Sequence, residues 1–168
     1  MSHLSQPFED VLFTTVDNGP FFIDELFQRK FGDPAPEHGI SVVCFYRKSW
    51  QHFIPVCYIN MLPHDEVLLI GGAMTDGRAF GYMSDGLPEK IKASGGIYYH
   101  LLKFAFDKFS NHCEAYFGYA GDARAYEVDI QAGFEPTAHK HLIVNFHKPL
   151  SEERKQYLIE KIHALGPF

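Results

Sequence analysis

Apolar residues follow two different periods along this chain. Three runs rich in β-branched and aromatic residues, at residues 41–47, 53–61 and 66–74, are separated by short polar segments. This spacing predicts three strands that form an antiparallel meander. A further run at residues 113–119 predicts another strand, and the alternation over residues 140–146 predicts the last one.

Helical periodicity marks the segments between and around these strands. Residues 20–31 begin with proline and end before a glycine, as helices often do. A long apolar helix is expected to end at Phe109, and a helix of about ten residues to follow Asp122 as its N-cap. Residues 151–165 predict a terminal helix capped by serine. Residues 8–17 are interpreted as a short helix.

The connection over residues 75–93 is long for a loop that follows a central strand, and such connections are often functional. Residues 78–83 favour a helical turn and residues 88–92 another short helix. The connection is therefore a candidate lid over a substrate site. Gly71 and Gly72, in the strand before it, predict a bulge or a close backbone approach.

The glycine turn at residues 94–96 lies between the strand at 66–74 and the long helix, and the strand at 113–119 comes next. Strand, turn, helix and strand predict a βαβ crossover, which brings a helix N-terminus to the end of a parallel sheet. Backbone N–H groups at such an end attract phosphate. An ordinary tight turn with a serine cap is the alternative, and spacing alone does not separate the two.

The totals favour one compact domain over residues 1–168, because 46% of the residues are apolar. A net charge of −6 argues against a nucleic-acid partner. The first ten residues lack the features of a signal peptide, and no apolar run reaches the length of a membrane span. Three cysteines without CxxC spacing indicate buried free thiols in a reducing compartment, so we expect a cytoplasmic protein.

Two short motifs resemble those of the GCN5-related N-acetyltransferase (GNAT) superfamily. The first is the turn Ala93-Ser94-Gly95-Gly96-Ile97-Tyr98, which is similar to the family's Arg/Gln-x-x-Gly-x-Gly/Ala turn, with Gly96 at the first glycine. The second is Asp122-Ala123-Arg124-Ala125 followed by Gly133-Phe134, which is similar to the family's Asn-x-x-Ala helix and its Gly-Phe ending. The resemblance covers about residues 8–147.

The sequence also departs from the family pattern. Ala93 stands where the family has Arg or Gln, Tyr98 where it has a small residue, and Asp122 where it has Asn. The position at which many members carry a thiolate-protonating tyrosine is Asp129 here. Tyr126 lies one turn earlier on the same helix face and is the candidate in its place, with a buried aromatic role as the alternative.

The resemblance implies an α/β fold with a mixed sheet, an antiparallel meander followed by a βαβ crossover, and helices on both faces. It implies transfer of an acyl group, with acetyl as the expected one, from acyl-CoA to an amine of a small molecule or peptide. Tyr126 would protonate the thiolate, and Glu66 or Asp76 would deprotonate the amine. Contacts to acyl-CoA are expected at the following positions: Met74, Lys92, Ser94, Gly95, Gly96, Ile97, Asp122 and Ala125.

Other interpretations remain open at this point. A GNAT-fold module without catalysis, which binds a ligand or another protein, is the main alternative, and a carrier-protein thioester is another acyl donor. No metal is expected, because His139 and His141 have no third ligand at suitable spacing. They are predicted to share one face of the last strand. A homodimer is compatible with the many Phe and Tyr residues.

Overall fold

The computed structural model describes residues 7–168, which form seven strands and five α-helices. The strands are β1 (Val11–Val16), β2 (Ile40–Ser49), β3 (His52–His64), β4 (Val67–Thr75), β5 (Ala115–Tyr119), β6 (Glu135–Pro136) and β7 (Leu142–Asn145). The α-helices are α1 (Gly19–Phe31), α2 (Leu87–Ala93), α3 (Ile97–Phe109), α4 (Ala123–Ala132) and α5 (Glu152–Leu165), and a 3₁₀ helix covers Gly77–Tyr82.

The strands follow the order β1-β2-β3-β4-β5-β7-β6 in one sheet. Only two residues join β2 to β3 and β3 to β4, and connections that short require antiparallel neighbours. β4 and β5 are parallel, from Val67 opposite Ala115 to Ile70 opposite Gly118, with α3 between them in the chain. The meander and the βαβ crossover predicted from the sequence are therefore confirmed.

The segment predicted as a short helix at residues 8–17 is strand β1 instead. It pairs antiparallel with β2, from Val11 opposite Tyr46 to Val16 opposite Ser41. Val11 and Phe13 are buried, and the residues between and after them are only partly buried. Alternation with a period of two and several β-branched residues favour a strand here, and the partner that stabilises it lies thirty residues away.

The last part of the sheet also differs from the prediction. β7 is shorter than the predicted run, and the two-residue β6 pairs with it, from Glu135 opposite Val144 to Pro136 opposite Ile143. His139 and His141 consequently lie in the turn before β7 and do not share a strand face. His141 has a positive φ of 68°, which ends any continuous alternation at that residue.

The predicted caps at Gly32, Asp122 and Ser151 are confirmed, and Asn18 is a further cap that the sequence analysis did not predict. Asn18 accepts a hydrogen bond from the N–H of Phe21 at the start of α1, and Gly32 ends that helix in the left-handed conformation. Asp122 and Ser151 cap α4 and α5 through their side chains. Both short helical segments predicted in the connection after β4 are present, as the 3₁₀ helix and α2.

The chain divides into two compact units, each of which is described by itself. The first consists of the residues up to Asn60 together with Gly72–Leu101. Its core lies where the apolar face of α1 packs on the strands, and includes Ile23, Phe27, Val43, Phe45, Tyr58 and Met74. The prediction of a single domain stays a prediction.

The second unit consists of Met61–Gly71 together with Leu102–Phe168. Alternate residues of β5 face its two covering helices. Tyr116 contacts Phe106 of α3, with ring centroids 4.6 Å apart, while Phe117 lies in a cluster with Leu158 and Ile162 of α5. Helices therefore cover both faces of β5, as the sequence predicted for the fold.

Candidate functional site

The turn between α2 and α3 requires glycine at two successive positions. Gly95 and Gly96 have φ values of 118° and 93°, a region that side-chain-bearing residues rarely adopt. A Cβ at Gly95 would lie 2.9 Å from the ring of Tyr99, whereas a Cβ at Gly96 would meet nothing within 4 Å. The surface at Gly96 is therefore open to a ligand, and the surface at Gly95 is covered by a ring.

The backbone N–H groups of the turn are bonded within the protein. Ser94 donates to carbonyls in the last turn of α2, Gly95 donates to Lys92 over 3.3 Å, and Gly96 donates to Ile91 over 2.9 Å. These bonds satisfy carbonyl groups at the C-terminus of α2, which would otherwise lack partners. Phosphate binding by the turn would therefore have to use the first turn of α3 in place of the N–H groups of residues 94–96.

A serine and a histidine meet beside this turn. The Ser94 Oγ lies 2.8 Å from His100 Nε2 and 2.9 Å from the carbonyl oxygen of Ile91. The His100 ring also meets the edge of Phe8, with centroids 5.1 Å apart. Burial lowers the pKa of His100, and the hydrogen bond with Ser94 only partly opposes this effect. Burial therefore disfavours a positive charge on the ring beside the turn.

At the other predicted positions of the first unit, the side chains have structural roles. Ile97 and Met74 are buried, and Lys92 is exposed. Asp76, which follows β4, caps the 3₁₀ helix by accepting from the N–H of Arg78, and its other oxygen lies 3.2 Å from an Arg29 nitrogen. Both carboxylate oxygens of Asp76 are thus engaged.

Glu66 lies at the amino-terminal end of β4, where its carbonyl accepts from the N–H of Glu114 before β5. Its carboxylate contacts Lys161 at 3.1 Å and Arg154 at 3.4 Å. Burial alone would raise the Glu66 pKa, but a hydrogen bond from its own backbone and the bonds and charges of these two cations lower it. Ligands of open α/β sheets bind at the carboxyl ends of strands, whereas Glu66 is held in ion pairs at the other end, and its role as a base stays a prediction.

Asp122 and Ala125 are held in the first turn of α4. The Asp122 carboxylate accepts from the N–H of Arg124 at 2.7 Å and from that of Ala125 at 3.3 Å. These are two of the donors that an anion would need at this helix end. The capping role of Asp122 is therefore clear, and it competes with the contact to acyl-CoA that the resemblance implies.

A cavity of about 350 Å³ opens beside the start of α4. It brings together Asp122 and Tyr126, two of the predicted site residues, with the turn that precedes β7. Tyr126 is 37% exposed, so it is not a buried core aromatic. The residues with titratable side chains around the cavity are Asp122, Tyr126, His139, Lys140 and His141.

The two histidines of this cavity are held in different ways. His139 Nε2 lies 2.9 Å from Glu160 Oε1, and its ring stacks on His163 with centroids 3.5 Å apart. His141 Nδ1 lies 3.0 Å from the carbonyl oxygen of Ala120, and the His141 carbonyl accepts from the Ala120 N–H at 2.8 Å. Among residues 7–168, no group of three or more His, Cys, Asp or Glu side chains is arranged to hold a metal ion.

Sequence reasoning did not identify His141 and Lys140 as site residues. The sequence predicted that His139 and His141 share the solvent-facing side of a regular strand. The position of His141 depends on a left-handed backbone conformation and on the pairing of Tyr119 with Leu142, which no local pattern encodes. The polar run 139–141 directly before an apolar strand was the signal available in the sequence.

No family model and no curated protein matches this sequence. Among solved structures, a ribosomal-protein-S5-alanine acetyltransferase from Vibrio fischeri superposes with a TM-score of 0.54 at 9% identity, over 86% of this chain and 98% of that one. A protein from Pyrococcus horikoshii, assigned as an acetyltransferase, gives 0.52 at 10% identity over 82% of this chain. This chain spans about half, 47%, of that protein.

These similarities show the fold, and they confirm the GNAT-like architecture that the two sequence motifs predicted.

The three cysteines are buried free thiols. None of the helices described here has the length and apolar character needed to cross a membrane.

Proposed function

We propose that this chain, which has the GNAT fold, is an acyl-CoA-dependent N-acyltransferase. The acyl group is acetyl, and the acceptor is an amine of a small molecule or peptide in the cytoplasm. The observation that carries the proposal is the parallel pair β4–β5 joined through α3, whose N-terminus follows a glycine turn with open space at Gly96. Neighbours of the same fold that are acetyltransferases support it.

In this proposal, the first turn of α3 receives the pyrophosphate of acyl-CoA, because the positive end of the helix dipole lies there. Gly96 allows the phosphate to approach the backbone, and the exposed Lys92 supplies positive charge. Ser94 and Gly95 shape the turn through their bonds to α2. Met74 and the buried Ile97 fix the elements on which these contacts depend.

Acyl-CoA brings the thioester, and the chain supplies positioning and proton transfer. Tyr126, exposed in the cavity beside α4, donates a proton to the departing thiolate. The carboxylates of Asp76 and Glu66 are held in ion pairs, so neither is well suited to deprotonate the acceptor amine. The group that performs this step has to be found elsewhere in the chain.

A thermal-shift measurement tests the proposal directly. The melting temperature is recorded with and without acetyl-CoA and CoA. A ligand at a hundred times its dissociation constant stabilises the folded protein by about 2.7 kcal/mol, so a clear rise is expected. In the Gly96→Asp variant, the added carboxylate would repel the pyrophosphate, and the rise should disappear. Glu89→Gln, an exposed change in α2, is the matched control.

The absence of a shift with either ligand, in a folded wild-type sample, would contradict the proposal. An undiminished shift in Gly96→Asp would instead show that the ligand binds somewhere other than this turn. The second outcome leaves acyl-CoA binding intact but removes the role assigned to Gly96.

A second candidate function is a protein-interaction module without acyl transfer. The exposed aromatic residues of the first unit favour it, since Phe21 is 79% exposed and Trp50 is 81% exposed, with the Arg47 guanidinium 4.3 Å from the indole ring. Exposed aromatic residues often mark interfaces, including those of homodimers. This candidate predicts no thermal shift with CoA, so the same measurement separates the two functions.

A further inference from the structure

We propose that His141 is the group that removes the proton from the acceptor amine, and that the cavity it shares with Tyr126 receives that amine. This inference rests on the proposed acyltransferase function and adds the residue that the function lacks. The structure determines the tautomer of the His141 ring.

The hydrogen bond between His141 and Ala120 determines which ring nitrogen carries the proton. A carbonyl oxygen only accepts hydrogen bonds, so Nδ1, at 3.0 Å from the Ala120 oxygen, has to be the donor. In a neutral imidazole the lone pair is then on Nε2. His141 is exposed and lines the cavity, so Nε2 is available to a ligand as a base.

The backbone holds this ring in position at a structural cost. A φ of 68° is unusual for a non-glycine residue, and such conformations concentrate at functional sites. Two hydrogen bonds tie His141 to Ala120, one through its ring and one through its carbonyl. Ala120 directly follows β5, so these bonds anchor His141 at the carboxyl end of a parallel strand, where ligands of α/β sheets bind.

The neighbouring groups leave His141 the best-placed base in the cavity. His139 is committed to Glu160 and stacks on His163, and Lys140 is a cation at neutral pH. The Asp122 carboxylate is engaged by backbone N–H groups of α4. Tyr126 is the proton donor of the proposed reaction, and the ring of Tyr119 lies against the His141 ring, with centroids 5.7 Å apart.

The reaction balances with these two residues. The acceptor ammonium gives one proton to His141 Nε2, and the amine nitrogen that results attacks the thioester carbon. A carbon–nitrogen bond forms and the carbon–sulfur bond breaks. Tyr126 gives its proton to the thiolate, the second proton passes from the nitrogen to the Tyr126 phenolate as the amide forms, and His141 releases its proton to solvent.

Two variants remove the base without disturbing the backbone. His141→Asn keeps a side-chain donor for the Ala120 carbonyl, and Asn tolerates a positive φ better than most residues. His141→Gly accepts this φ without strain and leaves space for added imidazole. His38→Gln is the matched control, because it changes an exposed histidine that does not line the cavity.

The experiment measures acetyl transfer from acetyl-CoA to two probe nucleophiles. Ethylamine is protonated at neutral pH and needs a base, whereas hydroxylamine is largely unprotonated and does not. With ethylamine, His141→Asn should lose about 100-fold or more of the wild-type rate, while with hydroxylamine it should stay within about threefold. Imidazole should restore part of the ethylamine activity of His141→Gly, and His38→Gln should behave like the wild type.

The pH dependence gives a readout that a purely structural role would not change. The pH–rate profile with ethylamine should differ in shape between the wild type and His141→Asn, because the variant lacks the proposed base. Nitrogen-15 NMR of the wild-type protein at pH 8 should show the proton of His141 on Nδ1. A proton on Nε2 would overturn the inference independently of any activity.

Failure of the inference differs from failure of the proposed function. If His141→Asn acetylates ethylamine as fast as the wild type, the role of His141 is wrong and the acyltransferase function stands. If the folded wild-type protein acetylates neither nucleophile and its melting temperature does not respond to acetyl-CoA, both are overturned together.

Discussion

Two regions of the molecule point to function through different features. The turn between α2 and α3 does so through its backbone, and the cavity beside α4 does so through its side chains. The turn resembles a family motif and has positive φ at Gly95 and Gly96, but its own N–H groups are bonded to α2. The cavity includes Asp122 and Ala123 of the second motif, but His141, which is exposed in it with Tyr126, belongs to no motif.

The difference teaches that a motif and a reactive site need separate evidence. Two successive glycines define the turn, so the sequence predicts where it lies. The sequence does not show that its N–H groups are bonded to α2. The cavity is defined by side chains on segments that are adjacent only after folding. We therefore expect the turn to govern ligand affinity and stability, and the cavity to govern the rate of reaction.

Replacement of the proposed acid in the cavity should have the largest effect. Tyr126→Phe removes a proton donor, so the rate of acetyl transfer to ethylamine should fall by about 100-fold, while the thermal shift with acetyl-CoA should persist. Tyr157→Phe, an exposed tyrosine of α5, is the control. A Tyr126→Phe variant with the wild-type rate would break the comparison, because the cavity would then lack one of its two reactive groups.

The two glycines of the turn should differ in their effect on stability. Gly95→Ala places a Cβ 2.9 Å from the ring of Tyr99 and strains a positive φ, so the free energy of unfolding should fall by about 2–3 kcal/mol. Gly96→Ala has the strain without the contact and should cost about 1 kcal/mol. Urea denaturation measures both values. Equal losses would mean that Tyr99 does not cover Gly95.

Substitutions of Asp122 should have the smallest effect. They test whether Asp122 acts as the cap of α4 or through its negative charge. Asp122→Ala removes the cap of α4 and should lower the free energy of unfolding by about 1 kcal/mol, whereas Asp122→Asn keeps the cap and should stay within about 0.5 kcal/mol of the wild type. Glu127→Gln, an exposed change in the same helix, is the control. A loss in Asp122→Asn as large as in Asp122→Ala would point to a role for the negative charge itself.

Most of the fold could be predicted from the sequence, because it is encoded in local signals. Asn18 and Gly32 bound α1, Asp122 begins α4, and the apolar period of α3 is close to continuous. β1 was an exception. Its short segment has both strand and helix features, and pairing with β2 determines that it is a strand. The predicted site was less complete: Tyr126 lies in the cavity, but Glu66 is held at the opposite end of its strand pair by Lys161 and Arg154.

By itself, the sequence determined the elements from α1 to α4, the glycine turn and the resemblance to GNAT proteins, since each depends on neighbouring residues or a short period. Only the tertiary structure decided which N–H groups the turn uses internally and where His141 lies. The turn before β7 takes its shape from the pairing of β7 with β5 and from the contact with Ala120. Such contacts join residues about twenty positions apart, so no local pattern of side chains specifies them.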